Sequence, residues 1–251
     1  MPRRHAGKLA EVRAFCEAHA NPANVKKYSR YFTEGYDAFG LDQETLHAQA
    51  ATWLERWGGE LGLAGFLDLG DALVRTGKYE EASFAYLFAR AHKEQFEPGT
   101  LERIGRWFDD GICNWGHTDL VSSELVAPFV VDGLTAVEAL AGWRDAASKW
   151  KRRAVPVSLI ALVKAGRPLA PLLGFVEPLM GDGDRFVQQG LGWFLREAWK
   201  RESKPVEAFL GRWKDTCART IVQYATEKMP PAKKARFKRA RAAARSKSSV
   251  P

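Results

Sequence analysis

Helical periodicity runs along almost the whole chain, and it restricts the fold more than any other feature. Apolar residues recur at spacings of three and four in segments such as "LAEVRAFCEA", "ETLHAQAATWLERW", "YEEASFAYLFARA" and "FVQQGLGWFLREAW". No segment alternates apolar and polar residues as a half-buried strand would. We therefore predict an all-α protein of about twelve or thirteen helices joined by short loops.

Local signals mark several helix ends. Asn21 and Pro22 combine an N-cap with a proline in the first turn, and the stretch from Asp42 resembles another helix opening. Gly77 and Gly166 fall where helices are expected to stop. These signals divide the periodic segments into helices of ordinary length.

A faint internal repeat indicates how the helices are arranged. "SKWKRRAVPVSLIALV" and "GDRFVQQGLGWFLREA" align about 35 positions apart, and each has an aromatic residue, polar residues and then an apolar run. Helix pairs that recur at this interval are typical of HEAT-like or armadillo-like solenoids, which curve and bind partners on their concave face. A plain globular helical domain is the alternative.

Positive charge is concentrated at the C-terminus. The formal net charge is +8, and no acidic residue follows Glu227. Nine basic residues lie beyond that point, and without them the chain has 29 basic and 30 acidic residues. We predict a helical-repeat domain over residues 1–228 and a flexible basic tail over residues 229–251. DNA, RNA or an anionic membrane are candidate partners for the tail, and a merely solvated tail is the alternative.

Several classes of protein are disfavoured. Cys16, Cys113 and Cys217 are far apart and form no CxxC pair, and the five histidines have no metal-ligand spacing. The longest apolar runs are about half of the ~20 residues that a membrane helix needs, and no signal-peptide pattern opens the chain. We expect a cytoplasmic, nucleoid-associated monomer without metal or cofactor.

The nine tryptophans fall into two groups. Six lie in amphipathic patterns and are predicted to pack in the core or between helices: Trp53, Trp57, Trp107, Trp143, Trp199 and Trp213. Trp115, Trp150 and Trp193 instead have polar or small neighbours, in "NWGHTD", "KWKRRA" and "LGWFLRE". Stacked repeats would place these three on one concave face.

Three of these segments, in order, resemble the bacterial DNA glycosylases of alkylation repair that are built from HEAT-like repeats. "NWGHTDLV" is similar to the family's Asn-Trp-x-x-x-Asp segment, "WKRRAV" to its Trp-x-x-Arg-Ala segment, and "LGWFLRE" to its Gly-Trp-x-Leu-Arg-Glu segment. The likeness spans residues 25–220. Gly116, His117 and Thr118, together with Pro156, depart from the family's usual residues.

The resemblance implies specific roles. Asp119 matches the catalytic carboxylate, and Trp115 and Trp193 match two active-site indoles. Arg153 matches an arginine that contacts the DNA backbone, and we assign its neighbours Arg152 and Trp150 to the same DNA-binding surface. The expected partner is double-stranded DNA that carries alkylated bases. In this family the damaged base need not be flipped into a pocket.

The chemistry suits these residue types. A purine alkylated at N3 or N7 is cationic and leaves as a neutral base, so the enzyme mainly stabilises positive charge that develops on the sugar. A carboxylate near C1′ does so by Coulomb attraction, and indole faces attract the cationic base. A nearby Arg153 would keep Asp119 ionised. Because no lysine occupies the matched positions, a monofunctional enzyme without a Schiff base is expected.

Other interpretations of the same residues stay open. Asp119 can be a helix N-cap, the two indoles packing residues, and Arg153 a solvated helix residue. His117 is expected to face solvent, without a role. The whole chain can be a non-catalytic solenoid that recognises DNA structure, or a protein-interaction scaffold.

Overall fold

A computed structural model of the protein describes residues 5–34 and 36–238, and these residues form helices without any strand. The predicted all-α class and the number of helices are confirmed. The helices are α1 (Ala6–Ala18), α2 (Pro22–Ser29), α3 (Gln43–Val74), α4 (Tyr79–Ala91), α5 (Pro98–Asp110), α6 (Trp115–Val121), α7 (Ala127–Val131), α8 (Lys149–Lys164), α9 (Leu169–Val176), α10 (Arg185–Arg201), α11 (Ser203–Trp213), α12 (Arg219–Ala225) and α13 (Pro231–Ala235).

Alternate helices stack in a row. Helix α6 packs on α8, α8 on α10, and α10 on α12, while α9 and α11 lie beside this row and contact each other. The two repeat segments form α8 and α10, so the repeated pattern marks equivalent helices of neighbouring units. This arrangement is that of a helical-repeat solenoid, in which each unit packs on the next.

The predicted helix ends are confirmed. The Asn21 side chain accepts hydrogen bonds from the first turn of α2, where Pro22 is the first residue. The Asp42 carboxylate accepts a 2.8 Å bond from the backbone three residues later and caps α3. Gly77 and Gly166 follow α3 and α8 with φ of +75° and +78°, values that glycine adopts without steric cost.

Helix α3 has two arms. Gly62, with φ of +53° and ψ of −169°, divides it into an arm that contains "ETLHAQAATWLERW" and a second arm, "LAGFLDLGDALV". The change of direction lets each arm present its own apolar face to the core. Although α3 is the longest helical segment, neither it nor any other described helix is long and apolar enough to cross a membrane.

The tryptophans predicted to pack lie in or against the core. Their indole N–H groups also join helices. Four of them donate to carboxylates on other elements: Trp53 to Glu11, Trp107 to Asp71, Trp199 to Glu207 and Trp213 to Glu177, at distances of 2.7–3.1 Å. The large apolar rings thus lie in or against the core while the polar edge of each indole keeps a partner.

The first residues of the predicted basic tail pack against the helical domain. Met229 and Phe237 are buried, and Lys233 and Arg236 pair with Glu207 of α11. Residues 239–251 lie outside the described residues. The predicted division after residue 228 stays a prediction, and the packed contacts belong to the segment that follows it.

The close packing of α10 on α12 depends on Gly192. A Cβ atom at this position would lie 2.5 Å from Tyr224 Cβ and 2.9 Å from the Ile221 carbonyl oxygen. We expect Gly192→Ala to lower the free energy of unfolding by about 1–3 kcal/mol because the two helices must separate. Gly211→Ala in α11, where no atom lies within 4 Å, is the control and should be neutral or stabilise by up to ~1 kcal/mol. Urea unfolding measures both, and equal effects would contradict the packing argument.

Candidate active site

A cavity of about 400 Å³ opens on the face formed by the row of alternate helices. Three helices that follow one another in this row contribute the residues matched by sequence: Trp115 and Asp119 from α6, Arg153 from α8, and Trp193 from α10. The cavity is completed by residues that the sequence did not single out: Tyr31, Thr33, Arg185, Phe186, Gln189, Arg196 and Tyr224.

The start of α6 sets the direction of the Trp115 and Asp119 side chains. Asn114 is the N-cap, and its side-chain oxygen accepts a 2.8 Å bond from the His117 backbone N–H. Trp115 is the first helical residue and Asp119 lies four residues later, so both project from one face of the helix. The N-cap interpretation of Asp119 is therefore wrong, because Asn114 caps the helix.

A π-helical turn follows Asp119. Over Ser122–Val126 the hydrogen bonds shift to a longer spacing, and the Ala127 N–H donates to the Ser122 carbonyl. Pro128, which has no N–H, then enters in the first turn of α7, where a missing donor is tolerated. Wide turns of this kind recur at functional sites.

Asp119 and Arg153 form a bidentate ion pair between α6 and α8. Arg153 Nε donates to Asp119 Oδ1 and Nη2 donates to Oδ2, each at 2.8 Å. The third nitrogen, Nη1, donates at 2.6 Å to the Phe186 carbonyl at the start of α10. The side chains are 7% exposed for Arg153 and 19% for Asp119. All three nitrogens are thus engaged within the protein, which differs from the expected contact of Arg153 with DNA phosphates.

The carboxyl of Asp119 has opposing influences on its protonation. Burial raises the pKa of Asp119 above its ordinary value, and the hydrogen bonds and charge of Arg153 lower it less than burial raises it. The arginine therefore favours the charged form of the carboxylate and compensates in part for the solvation that the carboxylate loses on burial. A buried but ionisable carboxylate beside an open cavity is typical of a catalytic site.

Trp115 is held by the segment between α2 and α3. Its Nε1 donates a 2.9 Å bond to the Tyr31 carbonyl, and its ring stacks on Phe32 with centroids 5.5 Å apart. Glu34 of the same segment pairs with Lys149 at the start of α8. One edge and one face of the indole are therefore fixed while 37% of the residue stays exposed.

Trp150 and Arg152 are placed differently from the prediction. Trp150 is 6% exposed and packs against Phe186, with ring centroids 4.8 Å apart, so its indole has no free face for DNA. Arg152 donates to Asp182 and to the carbonyls of Ala146 and Ala147. Both residues support the start of α8 instead of lining the cavity.

The expectation that His117 faces solvent is wrong. The residue is 4% exposed and stacks on Tyr79 of α4. Asn114 Nδ2 donates to His117 Nδ1 at 3.1 Å, so Nε2 carries the proton and donates to Ser83 Oγ at 3.0 Å. Burial lowers the pKa of His117 to about 3, and the neutral imidazole braces the N-cap of α6.

A stripe along α10 supplies three of the seven lining residues that the sequence did not single out. Arg185, Gln189, Trp193 and Arg196 recur at intervals of three and four, and all line the cavity. Once Trp193 is placed in the site, helical periodicity alone identifies the other three. Tyr31 carries no such signal because it lies outside the repeat.

No group of three or more His, Cys, Asp or Glu residues is arranged to hold a metal ion within residues 5–34 and 36–238. The chemical groups that the cavity offers are a paired carboxylate, indole and phenol rings, an amide and three guanidinium groups.

Two comparisons relate the chain to DNA alkylation repair enzymes. The family model described as DNA alkylation repair enzyme matches residues 12–229. The structure is similar to that of a predicted DNA alkylation repair enzyme from Enterococcus faecalis, with a TM-score of 0.73 and 16% identity, covering 85% of this chain and 98% of that chain. This structural likeness shows a shared fold. No curated protein matches the chain.

Protonation of His117 should make the fold sensitive to acid. Its pKa in the folded state, about 3, lies below the ordinary value of 6.5, so the unfolded chain binds the proton more tightly between these pH values. Stability from this group is complete above pH 6.5 and falls as the pH drops towards 3, by up to ~1.4 kcal/mol per pH unit.

We expect His117→Gln to make the free energy of unfolding depend less steeply on pH in this range, as measured by urea unfolding from pH 7 to pH 4 (roughly the span over which an ordinary histidine gains its proton). The exposed His47→Gln is the control and should keep the wild-type slope. Identical slopes for the two variants would contradict a buried neutral His117.

Proposed function

Because the chain belongs to the DNA alkylation repair enzyme family, we propose that it is a monofunctional DNA glycosylase that hydrolyses the N-glycosidic bond of positively charged alkylpurines in duplex DNA. Lesions of the 3-methyladenine and 7-methylguanine type, or bulkier adducts, are the proposed substrates. The observation that carries the proposal is one cavity lined by a paired carboxylate and two indoles, Trp115 and Trp193.

Asp119 is the proposed catalytic group. As the bond between C1′ and the cationic base lengthens, positive charge moves onto the sugar and the base departs neutral. A carboxylate near C1′ stabilises this oxocarbenium character and orients the water that attacks it. In a partly buried site the attraction is worth several kcal/mol, against about 1 kcal/mol for the same contact in bulk water.

Arg153 acts on Asp119 in this mechanism. Its two parallel hydrogen bonds fix the orientation of the carboxylate before DNA arrives, so little reorganisation is needed during reaction. The pair also has no net charge, so the site does not repel the phosphates of the approaching duplex. A buried carboxylate without the arginine would be less well oriented and would repel the phosphates.

The two indoles account for the preference for charged lesions. An indole face attracts a cation by about 0.5–2 kcal/mol, and a normal neutral purine gains none of this. Trp115 presents an exposed indole that Phe32 and Tyr31 hold in place. Two such contacts, about 1–4 kcal/mol together, would favour a cationic base by roughly one to three orders of magnitude.

The polar residues that line the cavity are compatible with DNA binding and with a hydrolytic reaction. Arg185 is exposed and has no carboxylate partner in the described part of the chain, so its guanidinium can contact a phosphate. No lysine is among the residues that line the cavity in residues 5–34 and 36–238, which supports water as the nucleophile and a monofunctional reaction. We propose that the protein acts as a monomer in the cytoplasm, where it associates with the nucleoid.

Asp119→Asn tests the catalytic assignment. We expect release of 7-methylguanine and 3-methyladenine from methylated duplex DNA to fall by about 100- to 1,000-fold, because the amide keeps the shape of the carboxylate without its charge. Binding of undamaged duplex should be retained. Free base released in single-turnover reactions is the measurement.

Asp182→Asn is the matched control. Asp182 forms the neighbouring buried pair with Arg152 but does not line the cavity, so its amide variant should release base within about threefold of wild type. Undiminished release by Asp119→Asn would remove the proposed mechanism. Binding by wild-type protein without any release would favour a DNA-recognition protein instead.

The raised pKa of Asp119 predicts the acid limb of the reaction. The ionised carboxylate is the active form, so activity is present above the pKa of Asp119 and lost as the pH falls through it. Because burial raises this pKa, we expect the loss to begin at a higher pH than the ordinary value of 3.8 would give. Single-turnover rates at a series of pH values, corrected for spontaneous depurination, measure it. A rate that increases as the pH falls would contradict this assignment.

A further inference from the structure

A second cavity lies at the C-terminal end of the solenoid. It has a volume of about 540 Å³ and is enclosed by α12, by α13 and by Lys214 just after α11. Its lining includes four basic residues, Lys214, Arg219, Lys234 and Lys238, together with apolar residues such as Phe237. We call this cavity the C-terminal groove.

Most of the positive charge in the C-terminal groove is not neutralised. Lys214 pairs with Asp215 at 2.7 Å. Arg219, Lys234 and Lys238 are exposed and have no carboxylate partner among residues 5–34 and 36–238. Three cations that line one cavity without counter-charges repel one another, and a polyanion would relieve that repulsion.

The two faces of α13 differ in how their charges are used. Lys233 and Arg236 pair with Glu207 of α11, which fastens α13 to the domain. Lys234, on another face, lines the C-terminal groove together with Lys238. Buried Phe237 lies between Arg236 and Lys238 and adds an apolar anchor. The contacts to Glu207 therefore hold on the domain the segment that carries the other two cations.

The C-terminal groove adjoins the cavity that contains Asp119. Helix α12 separates them, with Tyr224 on the side of the Asp119 cavity and Val222, Gln223 and Thr226 on the side of the groove. A helix with its side chains is about 10 Å wide, and duplex DNA carries about one phosphate charge per 1.7 Å of its axis. A duplex that runs from the first cavity across α12 would therefore bring phosphates within reach of the second.

The chain beyond the groove adds charge of the same sign. The family match ends at residue 229, so α13 and the residues after it extend beyond the family's common core. No acidic residue follows Glu227, and the sequence after Lys238 adds Arg239, Arg241, Arg245 and Lys247. The extension is thus basic throughout.

We propose that the C-terminal groove binds the phosphate backbone of duplex DNA beside the lesion, independently of whether a lesion is present. The inference rests on the proposed action on duplex DNA, and it adds a contact that the reaction at Asp119 does not require. Guanidinium and ammonium groups on phosphates give affinity and register without sequence specificity. The contact would hold the enzyme on undamaged DNA during search.

The triple variant Arg219→Gln, Lys234→Gln and Lys238→Gln tests this contact. Its control, Lys93→Gln, Arg106→Gln and Lys164→Gln, removes the same charge from positions that line neither cavity. Binding to undamaged duplexes of about one and about two helical turns (~10 and ~21 base pairs) is measured at several salt concentrations by fluorescence anisotropy. Thermal melting verifies that both variants are folded.

We expect the groove variant to lose about tenfold or more in affinity for the longer duplex at low salt, and much less for the shorter one. Each lost phosphate contact lowers the slope of log K against log[salt] by about 0.9, so a decrease of about 2–3 is expected. The control variant should keep the wild-type slope. Slopes equal for groove variant, control and wild type would overturn the proposal.

Two further measurements separate the alternatives. Loss of co-sedimentation with vesicles of anionic phospholipid, with unchanged DNA affinity, would assign the groove to a membrane surface and overturn the proposal. Base release at saturating enzyme should be unchanged in the groove variant. If wild-type protein released no base but the groove variant still lost duplex affinity, the glycosylase proposal would fail while the groove would stand as a DNA contact.

Discussion

The ion pair between Asp119 and Arg153 is the contact on which the rest of the site depends. It joins α6 to α8 by two hydrogen bonds, and a third bond from the same guanidinium reaches the start of α10. Three successive helices of the row are thus fixed at one point beside the cavity. Buried pairs of this kind contribute little net stability because desolvation offsets much of their attraction, but removal of one partner leaves a costly unpaired charge. Their effect is to specify the positions of the helices.

The fold and part of the site were predictable from sequence. The spacing of apolar residues identified the helices, and the caps at Asn21 and Asp42 identified their starts. Three short segments, through their resemblance to a known family, predicted that Asp119, Trp115 and Trp193 lie together, and all three line one cavity. These signals are local, because a helix displays its apolar face and its cap within one or two turns.

The remaining features depend on contacts between distant segments. In "KWKRRAV" an arginine that forms a buried ion pair, Arg153, looks the same as one that faces water. Trp150 and His117 are buried by Phe186 and Tyr79, which belong to other helices. Tyr31 reaches the cavity from the segment before α3, outside the repeated pattern. The periodicity within a single helix cannot predict these contacts, because they involve residues of other segments.

The cavity of Asp119 collects side chains from Tyr31 to Tyr224, close to opposite ends of the described chain. Repeat arrays are held together mainly by contacts between neighbours, so their terminal units can come apart while the middle stays folded. Here fraying at either extremity would dismantle the cavity while leaving most helices intact. In such an architecture, activity requires that the whole array of helices stays folded. On heating, activity would therefore be lost before circular dichroism shows much loss of helix.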